Sequence, residues 1–421
     1  MRGWITTKRA ASFLPVLLML CGAVTSDELS WPKRCESWVP VRAITSGPDN
    51  HWFAYYDKQE FDPSCRYVLG MEVPFENRKP EADDIIKVGM VDLEDGDSWI
   101  ELGETRAWGW QQGCMLQWRP GSDREVLWND REGDRFVCRL LDIRSRKLRT
   151  IPQAVYSVSP DGQWAVTTDF RRIDDMRPGY GYAGLPDPNS DVLAPEDEGI
   201  WRVDIDTGRE ELIISIAEVA AIPFPGGDIS TGKHYFNHLL INTDGTRFEF
   251  LHRWRMPGAK SWSTRMLTAA PDGSDIRVLD DNGMTSHFIW RDPTHILAWS
   301  RQPSHDAAFY LFSDDGSGTI EAVGPDVMTR DGHCTYLPGN RYILNDTYPD
   351  RDRLQHVYLY DTLEDRILPL ANVYLPPEYK GEWRIDTHPR FSPDGRSVVI
   401  DAAFEGRGRQ MYLFDVSVLV E

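Results

Sequence analysis

Arg390-Phe391-Ser392-Pro393-Asp394-Gly395-Arg396, running on into Ser397-Val398-Val399-Ile400, carries two signals at once. The first is a turn. Proline presets φ at its position, serine and aspartate side chains bond the backbone two residues on, and glycine accepts the left-handed conformation that closes the loop. The second is a strand, because the run after the turn is β-branched and apolar. A polar loop through Gly406 to Gly408 and a further strand, Gln410 to Val416, complete the unit.

The unit recurs. Related turns stand at Phe61-Asp62-Pro63-Ser64, Arg119-Pro120-Gly121-Ser122, Ser159-Pro160-Asp161-Gly162, Asn242-Thr243-Asp244-Gly245 and Leu337-Pro338-Gly339-Asn340. Seven such units begin near His51, Trp108, Tyr156, Asn237, Ser286, Gly332 and His388. Their spacing is wider and less even than the ~40–45 residues of compact propeller repeats, so long inserts are expected. Asp174 to Glu198 and Leu370 to Gly381 are the two candidates. No long helical periodicity interrupts the pattern. The reading is an all-β protein, a seven-bladed β-propeller forming one domain over residues 26–421. Ring closure would remove the exposed sheet edges that open sheets must protect.

Residues 1–25 read as a secretory signal peptide. Arg2, Lys8 and Arg9 precede an apolar run from Phe13 to Cys21, and small residues follow. That run falls short of the roughly 20 residues needed to span a bilayer. The expected protein is therefore periplasmic or secreted, without a membrane span, and monomeric. Export permits disulfides. Once Cys21 is set aside with the signal segment, the rest of the six cysteines are odd in number, so at least one thiol stays unpaired. The formal charge of −20 excludes a nucleic-acid partner, which would need clustered lysine and arginine. A bound cation could still reverse the sign of the field at one point.

The ten histidines are unevenly placed. None lies between His51 and His234, and four open successive repeats: His238, His287, His333 and His388. Equivalent first-strand positions of a propeller line one end of its channel, so these four are expected to converge. Convergent imidazoles suit a transition metal. Asp386 stands two residues before His388, and alternate strand residues share a face. In the His238 repeat, His252, Arg253 and Arg265 offer groups for gripping carboxylates, as a guanidinium fork does. Asn345 to Asp350 reads as a loop at the channel rim, and Tyr180 and Tyr182 in the long insert as sugar-stacking or packing residues. No Gly-x-Ser-x-Gly, P-loop or His-Glu-x-x-His is present, which removes the usual support for serine hydrolases, nucleotide-dependent enzymes and zincins.

At these residues the chain resembles the oligogalacturonate lyase family of seven-bladed propellers. The likeness begins with His51-Trp52-Phe53-Ala54-Tyr55-Tyr56-Asp57-Lys58 and is strongest from Asn237 onward. Asn237-His238, His252, Arg265-Met266, Ser286-His287-Phe288-Ile289-Trp290, Gly332-His333 and Thr387-His388-Pro389 each match a family segment. The resemblance implies a Mn ion, with His287 and His388 as ligands and His238 as catalytic base. Asp386 stands where the family has a ligand histidine, so it joins the expected ligand set. Trp383 stands where the family has a ligand glutamine and cannot ligate, so the ion would take another ligand or a water. The family's catalytic arginine cannot be aligned across the insert before Trp201.

The implied activity is that of a carbon-oxygen lyase on oligogalacturonate or a related uronic-acid oligosaccharide. In β-elimination the C5 proton becomes acidic once the neighbouring carboxylate is neutralised, which a Lewis-acid metal does. A neutral imidazole then removes the proton. His238 would be that base, with Arg265, Arg253 and His252 on the substrate carboxylates and His333 near the leaving oxygen. Two other readings stay open. One is a non-catalytic propeller of the kind found in periplasmic interaction proteins. The other is a glycoside hydrolase, which needs two facing carboxylic acids; Asp346, Asp350 and Asp386 are its candidates.

Overall fold

The computed structural model describes residues 36–420. The expected signal segment, Cys21 and Cys35 lie outside the described residues. Of the other cysteines, Cys65, Cys114, Cys138 and Cys334 are free. Among the described residues no helix is long and apolar enough to cross a membrane.

The turn chemistry of the repeat is realised in full. Ser392 Oγ donates to Asp394, whose carboxylate accepts the Arg396 amide at 3.0 Å, while Ser397 N donates to Ser392 Oγ at 2.9 Å. The turn at Ser159 repeats this, with Gln163 N on Asp161 at 3.0 Å and Trp164 N on Ser159 Oγ at 3.1 Å. The turn glycines also join neighbouring blades. A Cβ on Gly162 would lie 2.4 Å from Pro120 O; one on Gly245 or Gly395 would meet Pro160 or Pro338 at 3.5 and 3.3 Å. Each of these prolines belongs to the turn of the preceding unit, so the repeated motif is also the packing element at one end of the ring.

Seven antiparallel sheets follow. Their innermost strands are Asn50–Trp52, Gln117–Trp118, Ser157–Val158, Lys233–Ile241, Thr285–Asp292, Thr335–Tyr336 and Arg390–Phe391. Each begins near a repeat start read from the sequence: Asn50, Lys233 and Thr285 stand shortly before theirs, and the other four strands begin shortly after. The seven-bladed β-propeller is therefore the fold. The ring closes because Val41–Ala43, from the N-terminal side, forms the outer strand of blade seven against Gln410–Asp415. Glu36–Ser37 adds a fifth strand to blade six. Leu370 to Gly381 is not wholly an insert, since the outer strand of blade six extends from Arg366 to Tyr374. Asp174 to Glu198 is one. It starts within a helix, Phe170–Met176, and is pinned by buried Arg172, which donates to Asp187 and to the carbonyls of Asn189, Val192, Leu193 and His234.

The centre of the ring is filled by blade one's own chain. Between Trp52 and Tyr67 the segment Phe53–Lys58 turns inward. Asp401 accepts the amides of Phe53 and Ala54 at 3.1 and 3.0 Å, holding Ala54 at φ 81°. Arg390 braces that carboxylate and Glu60. Tyr56 Oη then bridges the Phe288 carbonyl and amide of blade five at 2.8 and 3.0 Å. Tyr55 and Tyr56 thus form a floor across the channel, with Asp57 and Lys58 lining a pocket on its far side.

Candidate functional site

All four repeat-opening histidines meet above this floor. The His287 and His333 rings are 4.2 Å apart, as are those of His333 and His388; Tyr55 lies 5.1 Å from His238 and 5.4 Å from His388. Two of the four are set by unusual backbone. His238 sits at φ 53°, at a bulge where blade four's first strand slips register, and His388 at φ 40°. Such residues cost on the order of 1–3 kcal/mol each and persist where surrounding structure fixes them, here aiming each ring at the axis.

His333, Asp386 and His388 are the closest group. Their candidate ligand atoms all lie within 4.8 Å of one another, and all three residues are buried. His333 is oriented by Asp346, whose oxygens are 2.9 and 3.0 Å from Nδ1, and Asp346 is steadied by the Thr387 hydroxyl. Nδ1 is thereby occupied and Nε2 left for an ion, the carboxylate–histidine pattern of metal sites. Burial pushes Asp346 up, yet the His333 ring and its hydrogen bonds hold it at about 2. His333 in turn rises above its ordinary value, since Asp346 outweighs the burial that lowers it. His388 is held well below its ordinary value by burial, then by His333 and Arg390. It is a neutral ring with no side-chain hydrogen bond among the described residues. Asp386 Oδ1 accepts from Arg384 Nε at 3.1 Å. Oδ2 is buried and receives no hydrogen bond, although Arg384 Nη2 stands 2.7 Å away as an ion-pair partner. An orphaned carboxylate oxygen beside two free imidazole nitrogens fits a divalent cation.

Four residues are placed otherwise than expected. His333, expected at the leaving oxygen, belongs to this group of three. His287, expected as a ligand, stands beside it instead; its Nδ1 is 2.9 Å from Asp331 and its Nε2 3.5 Å from Tyr348 Oη. Burial, more than Asp331 compensates, lowers His287. Arg265 and His252 do not reach the site at all. Arg265 is wholly buried, with Nε on His252 Nδ1 at 3.0 Å and the fork on the carbonyls of Val219, Ile222 and Pro223. His252 Nε2 meets His234 Nδ1 at 2.9 Å. The strand's alternation decides this, because His252 shares the face of Phe236 and Phe250, which packs in the core formed with blade three. Arg253, on the other face, is buried with Nε and Nη1 unpartnered among the described residues, 5.7 Å from the Trp262 ring.

His238 is fully enclosed. Burial first, then Arg177, keep it well below its ordinary value, hence neutral. Arg177 Nη1 lies 3.4 Å from Nε2 and can only donate, so Nε2 carries the lone pair and the Nδ1 hydrogen goes to the Tyr55 hydroxyl. Arg177 also lies over Tyr180, 3.6 Å from the ring centroid. Arg177 and Arg384 are site residues that sequence reasoning missed, and Tyr55 was quoted without a role. Arg177 sits in the insert, outside any repeat register. Tyr55 stood in a recognised segment, and its partner, His238, is remote in the chain. Tyr180 lies at the site, with its hydroxyl 2.9 Å from Arg384. Tyr182 is core, stacked on Phe170 at 4.2 Å. Beside His287 the mouth opens into a cleft of about 880 Å³ lined by Arg330, Asp331, Tyr348, Asp350, Arg351 and Asp352. Asn345, expected to open a loop at the channel rim, ends the strand Tyr342–Asn345 and is buried on Tyr358.

No family model matches the sequence, and no curated protein matches it. Solved structures do. An oligogalacturonate lyase from Vibrio parahaemolyticus superimposes with a TM-score of 0.63 at 14% identity, over 91% of this chain and 96% of that one. The chain has the fold of the oligogalacturonate lyases. An oligogalacturonate lyase in complex with manganese gives 0.65 at 14% identity, over 91% and 94%. The likeness is one of fold, and this lyase-type propeller also underlies part of a peptidase. A puromycin-hydrolyzing peptidase from Mycobacterium tuberculosis matches at 0.52 and 16% identity, over 89% of this chain and 55% of the peptidase.

Proposed function

We propose that the protein is a metal-assisted lyase that cleaves oligogalacturonate or a related uronic-acid oligosaccharide by β-elimination, after export to the periplasm or beyond. The observation that carries the reading is the juxtaposition of a neutral base, His238, with the His333, Asp386 and His388 donor group at one mouth of the propeller. One fold neighbour is described in complex with manganese, and two imidazoles with one carboxylate suit that ion. Held by these three residues, the ion would supply Lewis-acid neutralisation of a uronate carboxylate. The chain's own residues do the rest. Arg177 grips the substrate carboxylate beside His238, which brings the C5 hydrogen to the Nε2 lone pair. Tyr55 accepts the Nδ1 hydrogen and fixes that tautomer as the proton is taken. The electron pair left at C5 forms the C4–C5 double bond as the C4–O bond breaks, and the leaving oxygen takes a proton from water in the open cleft beside His287, which Asp331 steadies.

The hydrolase alternative is weakened at two of its three carboxyls. Hydrolytic glycosidases need one carboxyl raised into the neutral range, whereas Asp346 is held at about 2, and at Asp350 burial, which raises it, is outweighed by hydrogen bonds from the Leu354 amide and His356. The test is to incubate the purified protein with Mn and a panel of pectic and other uronate oligosaccharides, following the ultraviolet absorbance of an unsaturated uronate. A rise that disappears in His238→Ala is expected. A flat trace across the panel rejects the lyase reading.

A further inference from the structure

The mouth holds one ion pair whose anion is sealed in while its cation stays partly open to solvent. Arg384 directs Nε to Asp386 Oδ1 at 3.1 Å, and its Nη2 stands 2.7 Å from Oδ2, which receives no well-aligned hydrogen bond. Its Nη2 donates to Tyr180 Oη at 2.9 Å and its Nη1 to Gly381 O at 3.3 Å. The Arg384 side chain is 24% exposed, while that of Asp386 is 1% exposed. Two fully buried guanidiniums behave differently. Arg390 is itself 2% exposed and grips both Glu60 and Asp401, and Arg265 spends its fork on backbone carbonyls.

A buried carboxylate needs a counter-charge, and removing its only partner is strongly destabilising. Asp386 is also one of the three donors set for a divalent ion. Two cations cannot both sit against one carboxylate in a water-poor site without repelling each other. We propose that Arg384 is a placeholder cation. It neutralises Asp386 while the site is unloaded, opposes the entry of a divalent ion, and swings away on its Tyr180 and Gly381 tethers when an ion takes the carboxylate. The proposal rests on the metal reading of the His333, Asp386 and His388 group. It adds a residue that sets the affinity of that group and keeps the fold intact when it is empty.

Two measurements on the full chain test it, both with MnCl₂ alone. In calorimetric titration, Arg384→Gln should bind Mn roughly tenfold or more tightly than wild type, within the 5- to 150-fold range usual for coupled sites. Arg384→Lys keeps the charge and should stay close to wild type. In thermal unfolding, Arg384→Gln should melt below wild type in chelator and regain the difference when Mn is added, because ligand that binds only the folded state stabilises it. Mn binding that is equal or weaker in Arg384→Gln, or equally tightened in Arg384→Lys, overturns the proposal and leaves the metal centre standing. Failure of wild type and Arg384→Gln alike to bind Mn removes the metal centre and the placeholder together.

Discussion

Blade four holds two sets of histidine, four residues apart on one strand, with opposite fates. His234 pairs with His252, and every ring nitrogen of the pair is used inside the protein: on each other, on Ile229 O at 3.0 Å and on Arg265. His238 lies just beyond, at the bulge, with its ring turned to the axis. There it joins His287, His333 and His388: His388 has no side-chain hydrogen bond among the described residues, His333 is anchored at Nδ1 alone, and the Nε2 atoms of His238 and His287 meet only long contacts, such as those with Arg177 at 3.4 Å and with Tyr348 at 3.5 Å. Both sets are buried, and all of these rings but His333 are pushed toward the neutral form, so burial does not tell them apart. What separates them is how firmly the fold has consumed both ring nitrogens. A histidine with both nitrogens firmly spent is a strut; one with a nitrogen free or held only at long range is open to a ligand.

That contrast can be broken by measurement. The largest effect should come from His238→Ala, which on the proposed reading lowers the elimination rate by roughly 10²–10⁴-fold while Mn binding, by titration, is kept. Next is Arg265→Ala. It strips three buried carbonyls and a histidine of their donors and should cost about 3 kcal/mol in denaturant unfolding, with Mn affinity unchanged. A change in Mn affinity without loss of stability would place Arg265 in the mouth after all.

The pH dependence of stability reports on the strut pair. Burial, only partly offset by the hydrogen bond to Ile229 O, depresses His234 from 6.5 to about 4 in the fold. The folded protein therefore binds fewer protons than the unfolded chain between those values. Stability is present above pH 6.5 and is lost as pH falls from there through about 4, by on the order of 3 kcal/mol. Thermal melts across that window should show the loss in wild type and a shallower one in His234→Gln. The smallest effect sharpens the mouth itself: Asp346→Asn should weaken Mn binding about tenfold, as losing a ligand's orienting carboxylate does, with little change in fold.

The ring of blades was legible because its signals are local. Pro-Asp-Gly and its variants fix a turn whatever surrounds them, and Ser392 with Asp394 closes the loop through its own backbone. The four mouth histidines were legible because they share one register position. Facing was harder to read. His252 and Arg253 are adjacent in sequence yet point to different neighbouring blades, and nothing local says which side is the channel. That His333, and not His287, falls in the group of three has the same origin, since register gives the order around the ring but not the direction of a ring nitrogen. Arg177 had no register to be read from, and its place depends on the buried Arg172 that pins the insert.

The tyrosine floor has a consequence for traffic. Tyr55 and Tyr56 stop the axis, so the histidine mouth is a cup rather than a tunnel, and entrance and exit are the same door. A molecule that reaches the rings must back out the way it came, and no chain can thread through to be worked on in passing. Departure and arrival then share one opening.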